Sequence, residues 1–150
     1  MRLGEIRDLL QARVLVDGAD SELVVESGCG SDLLSDVLAF THSGVLLLTG
    51  LSHPQVVRTA EVASIPAIVF VRGKAPSEDT VALAQERGIA LLQTDLTLFE
   101  ACGRLYAAGL RSCDVRAEPR SSVDERNGAA LGSAPADVLQ REAKGTEHGR

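Results

Sequence analysis

The chain has 150 residues, 45% of them hydrophobic and 24% charged, with a net charge of -6, 3% aromatics and no Trp. That is the profile of a globular domain whose core is built from Val, Leu, Ile and Ala. It argues against a phosphate-backbone binder or an aromatic platform for stacked bases. No apolar run reaches the ~18 residues of a membrane span, and MRLGEIRDLL lacks the apolar centre of a signal peptide. A cytoplasmic protein is therefore expected, with neither membrane nor nucleic acid as a partner.

Leu3, Ile6, Leu9 and Leu10 mark an amphipathic first helix. A short strand at Val14 ends at Asp17-Gly18, and a second strand is read over ELVVES, residues 22–27. SGCG then reads as a turn, with Ser31 as the N-cap of a helix whose stripe is Leu33, Leu34, Val37 and Leu38, ended by Gly44. VLLLT from Val45 and AIVFV from Ala67 are unbroken apolar runs, suited to strands covered on both faces. Between them Pro54 opens a helix with Val56, Val57, Ala60 and Ala63 inward. Ser77 caps the next helix, with Glu78 and Asp79 in its first turn and Gly88 at its end. IALLQT is the last strand. Asp95 is read as the cap of a final helix whose apolar face is Leu96, Phe99, Cys102 and Tyr106, stopped at Gly109.

From Val45 onward strand and helix alternate, which specifies an α/β domain with a largely parallel sheet. The first two strands are assigned to an edge or to antiparallel pairing. Residues 1–110 carry 8 Lys/Arg against 14 Asp/Glu, so the whole net charge lies there; the last 40 residues hold 7 of each sign. Their large aliphatics are only Val115, Val123, Leu131, Val138 and Leu139. Such a segment buries too little apolar surface to offset its ordering entropy. The division is a folded body over 1–112 and a polar tail over 113–150, disordered from about Asp114.

Ligands of open α/β sheets sit beyond the carboxyl ends of the strands. Three such ends are readable: Thr49 to Pro54, Val71 to Ser77, and Thr94 to Thr97. Each runs into a helix N-terminus, where free N–H groups favour anions. Arg72 and Lys74 add a close pair of cations. The candidate ligand-binding set is Thr49, Gly50, Ser52, His53, Arg72, Gly73, Lys74, Ser77, Thr94 and Asp95. Ordinary capping chemistry accounts equally for the Gly, Ser, Thr and Asp among them. No P-loop or dinucleotide fingerprint is present, and no cofactor is called for.

Cys29, Cys102 and Cys113 are odd in number and widely spaced, so no disulfide framework is read. With His42 and His53 they show no metal-ligand spacing. Cys29, ahead of a helix, is a candidate reactive thiol, although Asp32 would raise its pKa. Cys102 is placed as a buried small hydrophobe, and Cys113 as exposed at the tail junction. A phosphate-receiver reading fails because VLLLTG lacks the aspartate that would accept the phosphoryl group.

LLLTG from Leu46, IVFVRGKAPSEDTVALAQERGIALLQTD from Ile68 and TLFEA from Thr97 together resemble the DRTGG domain family. The helix and VLVDGADSELVVE before them resemble its start. The resemblance spans about residues 1–110, and Pro76-Ser77-Glu78 through Phe99-Glu100 is its most specific part. The literal Asp-Arg-Thr-Gly-Gly string is absent. Thr49-Gly50-Leu51 and Val71-Arg72-Gly73-Lys74 stand in the places of its Gly-Gly loops.

The resemblance implies a layered α/β/α domain with about five strands, similar to the N-terminal domain of HPr kinase/phosphorylase. It also implies a non-catalytic regulatory module like those that accompany phosphotransacetylases and CBS-domain pyrophosphatases, contributing oligomer contacts and nucleotide sensing. The expectation is thus a homodimeric regulatory domain that binds a small anion, a nucleotide among the candidates, or a protein partner. A pure scaffold and an enzyme with Cys29 as nucleophile are the alternatives.

Overall fold

The computed structural model describes residues 1–20 and 22–113; the tail reading from Asp114 lies outside them. In chain order the elements are α1 (Leu3–Leu10), β1 (Arg13–Val16), β2 (Ser27–Gly30), α2 (Leu34–Phe40), β3 (Val45–Thr49) and α3 (Pro54–Val62). Then follow β4 (Ala67–Phe70), α4 (Glu78–Arg87), β5 (Ala90–Gln93), α5 (Leu98–Ala107) and β6 (Arg111–Ser112).

The apolar runs at β3, β4 and β5 form the centre of the sheet, and every residue in them is buried. Alternate side chains go to opposite faces. Val45, Leu47, Ile68, Phe70 and Leu91 join one core with Val37 of α2, Val56, Val57 and Ala60 of α3 and Ala84 of α4. Leu46, Leu48, Ala67, Val69 and Leu92 join the other with Ile6 and Leu10 of α1 and Ala101 and Leu105 of α5. Three helices cover one face and two the other, which is the layered α/β/α arrangement expected.

The strand order is β1-β5-β4-β3-β2-β6. All neighbours run parallel except β1, which lies antiparallel on β5 at an edge. The sheet therefore has six strands rather than about five, because β6 pairs with β2 through Ser27↔Arg111 and Gly28↔Ser112. β2 differs from expectation too. It begins at Ser27, runs through SGCG and lies parallel inside the sheet, while Val24 makes only an isolated bridge to Arg2. Between β1 and β2 the chain crosses the amino end of the parallel strands. Ala19 N–H donates to Gly88 O at 3.0 Å and Glu26 N–H to Gly44 O at 2.9 Å.

Several helix signals hold. Pro54 sits in the first turn of α3, the Ser77 hydroxyl accepts from Thr80 N–H, and Gly88 ends α4 at φ 67. Others shift. Ser31 only closes a turn onto Leu33 N–H, and α2 starts at a Leu33 cap, with Leu33 and Leu38 exposed. α2 ends at Thr41, ahead of Gly44. Thr97 rather than Asp95 caps α5, accepting from Glu100 N–H.

The face of α5 is also corrected. Ala101 and Leu105 are buried, whereas Phe99 is 90% and Tyr106 59% exposed. β2 selects that face. A Cβ on Gly30 would stand 2.6 Å from Cys102 Sγ and 3.4 Å from Leu98 Cδ1, so the helix lies close on bare backbone and presents small side chains there. Cys113, expected exposed, is buried in the first core, and its N–H donates to Gly28 O at 3.0 Å.

This packing sets two substitutions apart. Leu47→Ala empties a fully buried site and is expected to cost ~2–5 kcal/mol. Phe99→Ala, for all its size, should stay within about 0.5 kcal/mol. Urea unfolding of both variants beside the wild type measures the difference.

Candidate functional site

β3, β4 and β5 end in register, with Thr49 opposite Phe70 and Phe70 opposite Gln93. Their following loops therefore meet at one end of the sheet. The Thr49 hydroxyl, fully buried, donates to Asp32 Oδ1 at 2.9 Å and accepts from Leu51 N–H. Gly50 N–H donates to the same carboxylate oxygen at 2.7 Å. Asp32 is brought there by β2, whose exit is tied to β3 by Ser31 N–H donating to Leu48 O.

The second loop bulges at Arg72 and Gly73, both left-handed at φ 56 and 63. Their N–H groups donate to Leu96 O at 2.7 Å and Thr94 O at 2.9 Å. Gly73 O accepts from Gln93 Nε2, and Gln93 Oε1 accepts in turn from the Arg13 guanidinium of β1. A Cβ on Gly50 would lie 2.9 Å from Arg72 Nη2 and 3.4 Å from Asp32 Oδ2. The guanidinium therefore overlies glycine backbone with the carboxylate beside it. A Cβ on Gly73 would lie 2.9 Å from Asp95 Oδ1. The Thr94 hydroxyl, buried, donates to Leu10 O at 2.7 Å and accepts from Leu96 N–H.

Thr80 links the first loop to α4. Its hydroxyl donates to Ser52 O at 3.0 Å and lies 2.9 Å from Ser77 Oγ. His53 caps α3 by its backbone only and is exposed. Arg72 and Lys74 are exposed, and their cationic ends make no hydrogen bond or ion pair among the described residues.

Two kinds of residue thus occupy the predicted set. Thr49, Thr94 and Ser77 direct their hydroxyls into the scaffold. Arg72, Lys74, His53 and Asp95 face solvent. Sequence reasoning missed Asp32 as the clasp of the Thr49–Gly50 turn. The Gly-bounded β2 leading into it is the one local signal.

The thiols gather elsewhere. Cys29 points from β2 into the core that holds Cys113. Its pKa is pushed up to about 12, first by burial, then by Cys113, Cys102 and Asp36. Burial also raises the Cys102 thiol. At neutral pH Cys29 is therefore protonated, unlike an activated nucleophile. An apolar cavity of about 430 Å³ lies along α5 beside β2 and β6, lined by Gly28, Gly30, Leu48, Cys102, Tyr106 and Leu110 among others. Among the described residues, no three His, Cys, Asp or Glu side chains gather as metal ligands, and no helix is long and apolar enough to cross a membrane.

No protein-family model and no curated protein matches the sequence. The fold does match one already solved: the CBS and DRTGG domains of the regulatory region of Clostridium perfringens pyrophosphatase, complexed with the activator diadenosine tetraphosphate. The TM-score is 0.59 at 14% identity, over 89% of this chain and 60% of that one. The DRTGG resemblance read from the sequence is thus borne out as a likeness of fold.

Two measurements follow from this geometry. Thr94→Val keeps the shape but strips the Leu10 carbonyl and the Leu96 N–H of their buried partner. A loss of ~1–3 kcal/mol is expected in denaturant unfolding. Iodoacetamide should label Cys29 slowly at pH 7, the rate climbing as pH approaches the raised pKa; peptide mass mapping after timed quenching reads it.

Proposed function

We propose that this chain is a non-catalytic, cytoplasmic regulatory module. It senses a small anion, a nucleotide among the candidates, at the carboxyl end of its sheet and acts through homodimer or partner contacts. The observation that carries the reading is the Arg72 guanidinium. It is held over Gly50 by a left-handed backbone position, with Lys74 two residues on, and it has no partner among the described residues. Arginine in such a setting presents a forked donor suited to phosphate oxygens.

The N-termini of α3 and α4, which begin in the same loops, add N–H groups of favourable polarity. Thr49, Gly50, Ser52, Gly73, Ser77 and Thr94 shape the floor, while His53 and Asp95 flank it. The fold neighbour supports the reading, being a regulatory region in complex with a nucleotide activator. The protonated Cys29 thiol weighs against the enzyme alternative.

The test is a thermal-shift series with ATP, ADP, AMP, diadenosine tetraphosphate and inorganic phosphate. A ligand at 100 times its Kd should add ~2.7 kcal/mol, a shift of several degrees for a domain of this size. The double variant Arg72→Ala/Lys74→Ala should keep its unliganded Tm and lose affinity by at least about tenfold. An equal shift in wild type and double variant would sink the site assignment.

A second reading, a scaffold without a ligand, is favoured by the exposure of Phe99 and Tyr106 on α5. Aromatic side chains left open in this way suit a protein interface. Sedimentation velocity should then show a dimer that dissociates in Phe99→Ala/Tyr106→Ala. A wild-type monomer unchanged by the substitutions would remove the dimer from the proposal.

A further inference from the structure

β2 and β6 run parallel with Ser27 opposite Arg111 and Gly28 opposite Ser112. The next residues on each strand are Cys29 and Cys113, and Cys113 N–H continues the ladder by donating to Gly28 O at 3.0 Å. Residues opposed in a sheet send their side chains to the same face. Both cysteines accordingly belong to the core packed under α2 and α3, and Cys113 is close enough to help raise the Cys29 pKa. Neighbouring strands stand ~4.8 Å apart, inside the ~4.4–6.8 Å range of Cα separation that a disulfide spans. Cys102 is excluded from the pair, because it reaches the sheet at Gly30 from the other face and packs with the α1–α5 core.

We propose that Cys29 and Cys113 form a redox-modifiable pair, closing to an intramolecular disulfide when a small-molecule disulfide is present. The chemistry balances in two exchanges. Cys29, half-buried and the more accessible of the two, attacks the small disulfide as its thiolate, which the raised pKa makes scarce at pH 7 and alkaline pH supplies; this gives a Cys29 mixed disulfide and one released thiol. Cys113 then attacks Cys29 Sγ, forming the protein disulfide and releasing the second thiol. Two protein thiols are oxidised and one small disulfide is reduced to two thiols. Cross-strand pairing holds Cβ atoms slightly farther apart than a relaxed disulfide prefers, so the bond closes only with a small approach of β6 and is readily reduced again. β6 is a two-residue edge strand with exposed residues, which is where such an approach would be taken up. Closure adds a covalent tie between β2 and β6 to the ladder and to the burial of Leu110 and Cys113.

The experiment incubates the purified full chain with excess oxidised glutathione at alkaline pH until the thiol count is constant, then counts thiols in denaturant and maps peptides by mass. The expected result is a fall from three titratable thiols to one, a monomeric species lighter by two hydrogens, a Cys29–Cys113 cross-linked peptide, and restoration of all three thiols by reductant. Cys102→Ser should fall from two thiols to none. Cys29→Ser and Cys113→Ser should form no intramolecular bond. Three thiols persisting after oxidation, a bond through Cys102, or a disulfide-linked dimer in place of the intramolecular bond would each overturn the proposal. The wild-type count decides independently of how the variants fold.

Discussion

Burial of the central sheet on both faces is the constraint from which the rest of the architecture follows. Strands Val45–Thr49, Ala67–Phe70 and Ala90–Gln93 offer no face to water. Each connection between them must therefore be a helix that crosses over and covers apolar surface, and parallel strands permit no shorter path. With α2, α3 and α4 spent on one face, α5 has to return across the other, joined there by α1. The loops that follow the strands are then all delivered to the same end.

At that end the scaffold uses its polar groups unevenly. Buried hydroxyls and the Asp32 carboxylate hold turns in place, leaving the cations as the groups with free valence toward solvent. Rigidity comes from side chains turned into the scaffold: Thr94 to the end of α1, Thr80 to the loop before α3, Gln93 between Arg13 and the left-handed bulge. Such cross-ties fix where Arg72 stands, which is what a binding surface built on loops requires. Acidic neighbours, Asp32 and Asp95, would limit how much negative charge the proposed surface accepts and would favour ligands that place an anion against the guanidinium alone.

The layered fold was legible because its strongest signals are local. An unbroken run such as VLLLT, a Ser-Glu-Asp helix start and a terminal Gly each specify structure within a few residues. β2 was not legible, because Ser-Gly-Cys-Gly has the composition of a turn and becomes a strand only between β3 and β6. The orientation of α5 failed for a related reason. Phe99-Cys102-Tyr106 and Leu98-Ala101-Leu105 both recur at helical spacing, and only Gly28 and Gly30, which leave one face of β2 bare, favour the second stripe. In the candidate site, Arg72 and Lys74 were read as candidates from charge and position. Asp32 was not, since its partners lie 17 and 18 residues away.

The pairing of Arg13 with Gln93 has a consequence for how the molecule is made. β1 has β5 as its strand neighbour, and nearly eighty residues separate the two. α1 and β1 precede α5 and β5, the elements they pack on, so they wait until those have been synthesised. The β3–β4–β5 region, closed by sequential crossovers, can assemble while they wait. Contacts of that sequence separation slow folding, and a strand held back in this way stays available for pairing with other chains during synthesis. β1 is therefore a strand whose concealment depends on a much later part of the sequence.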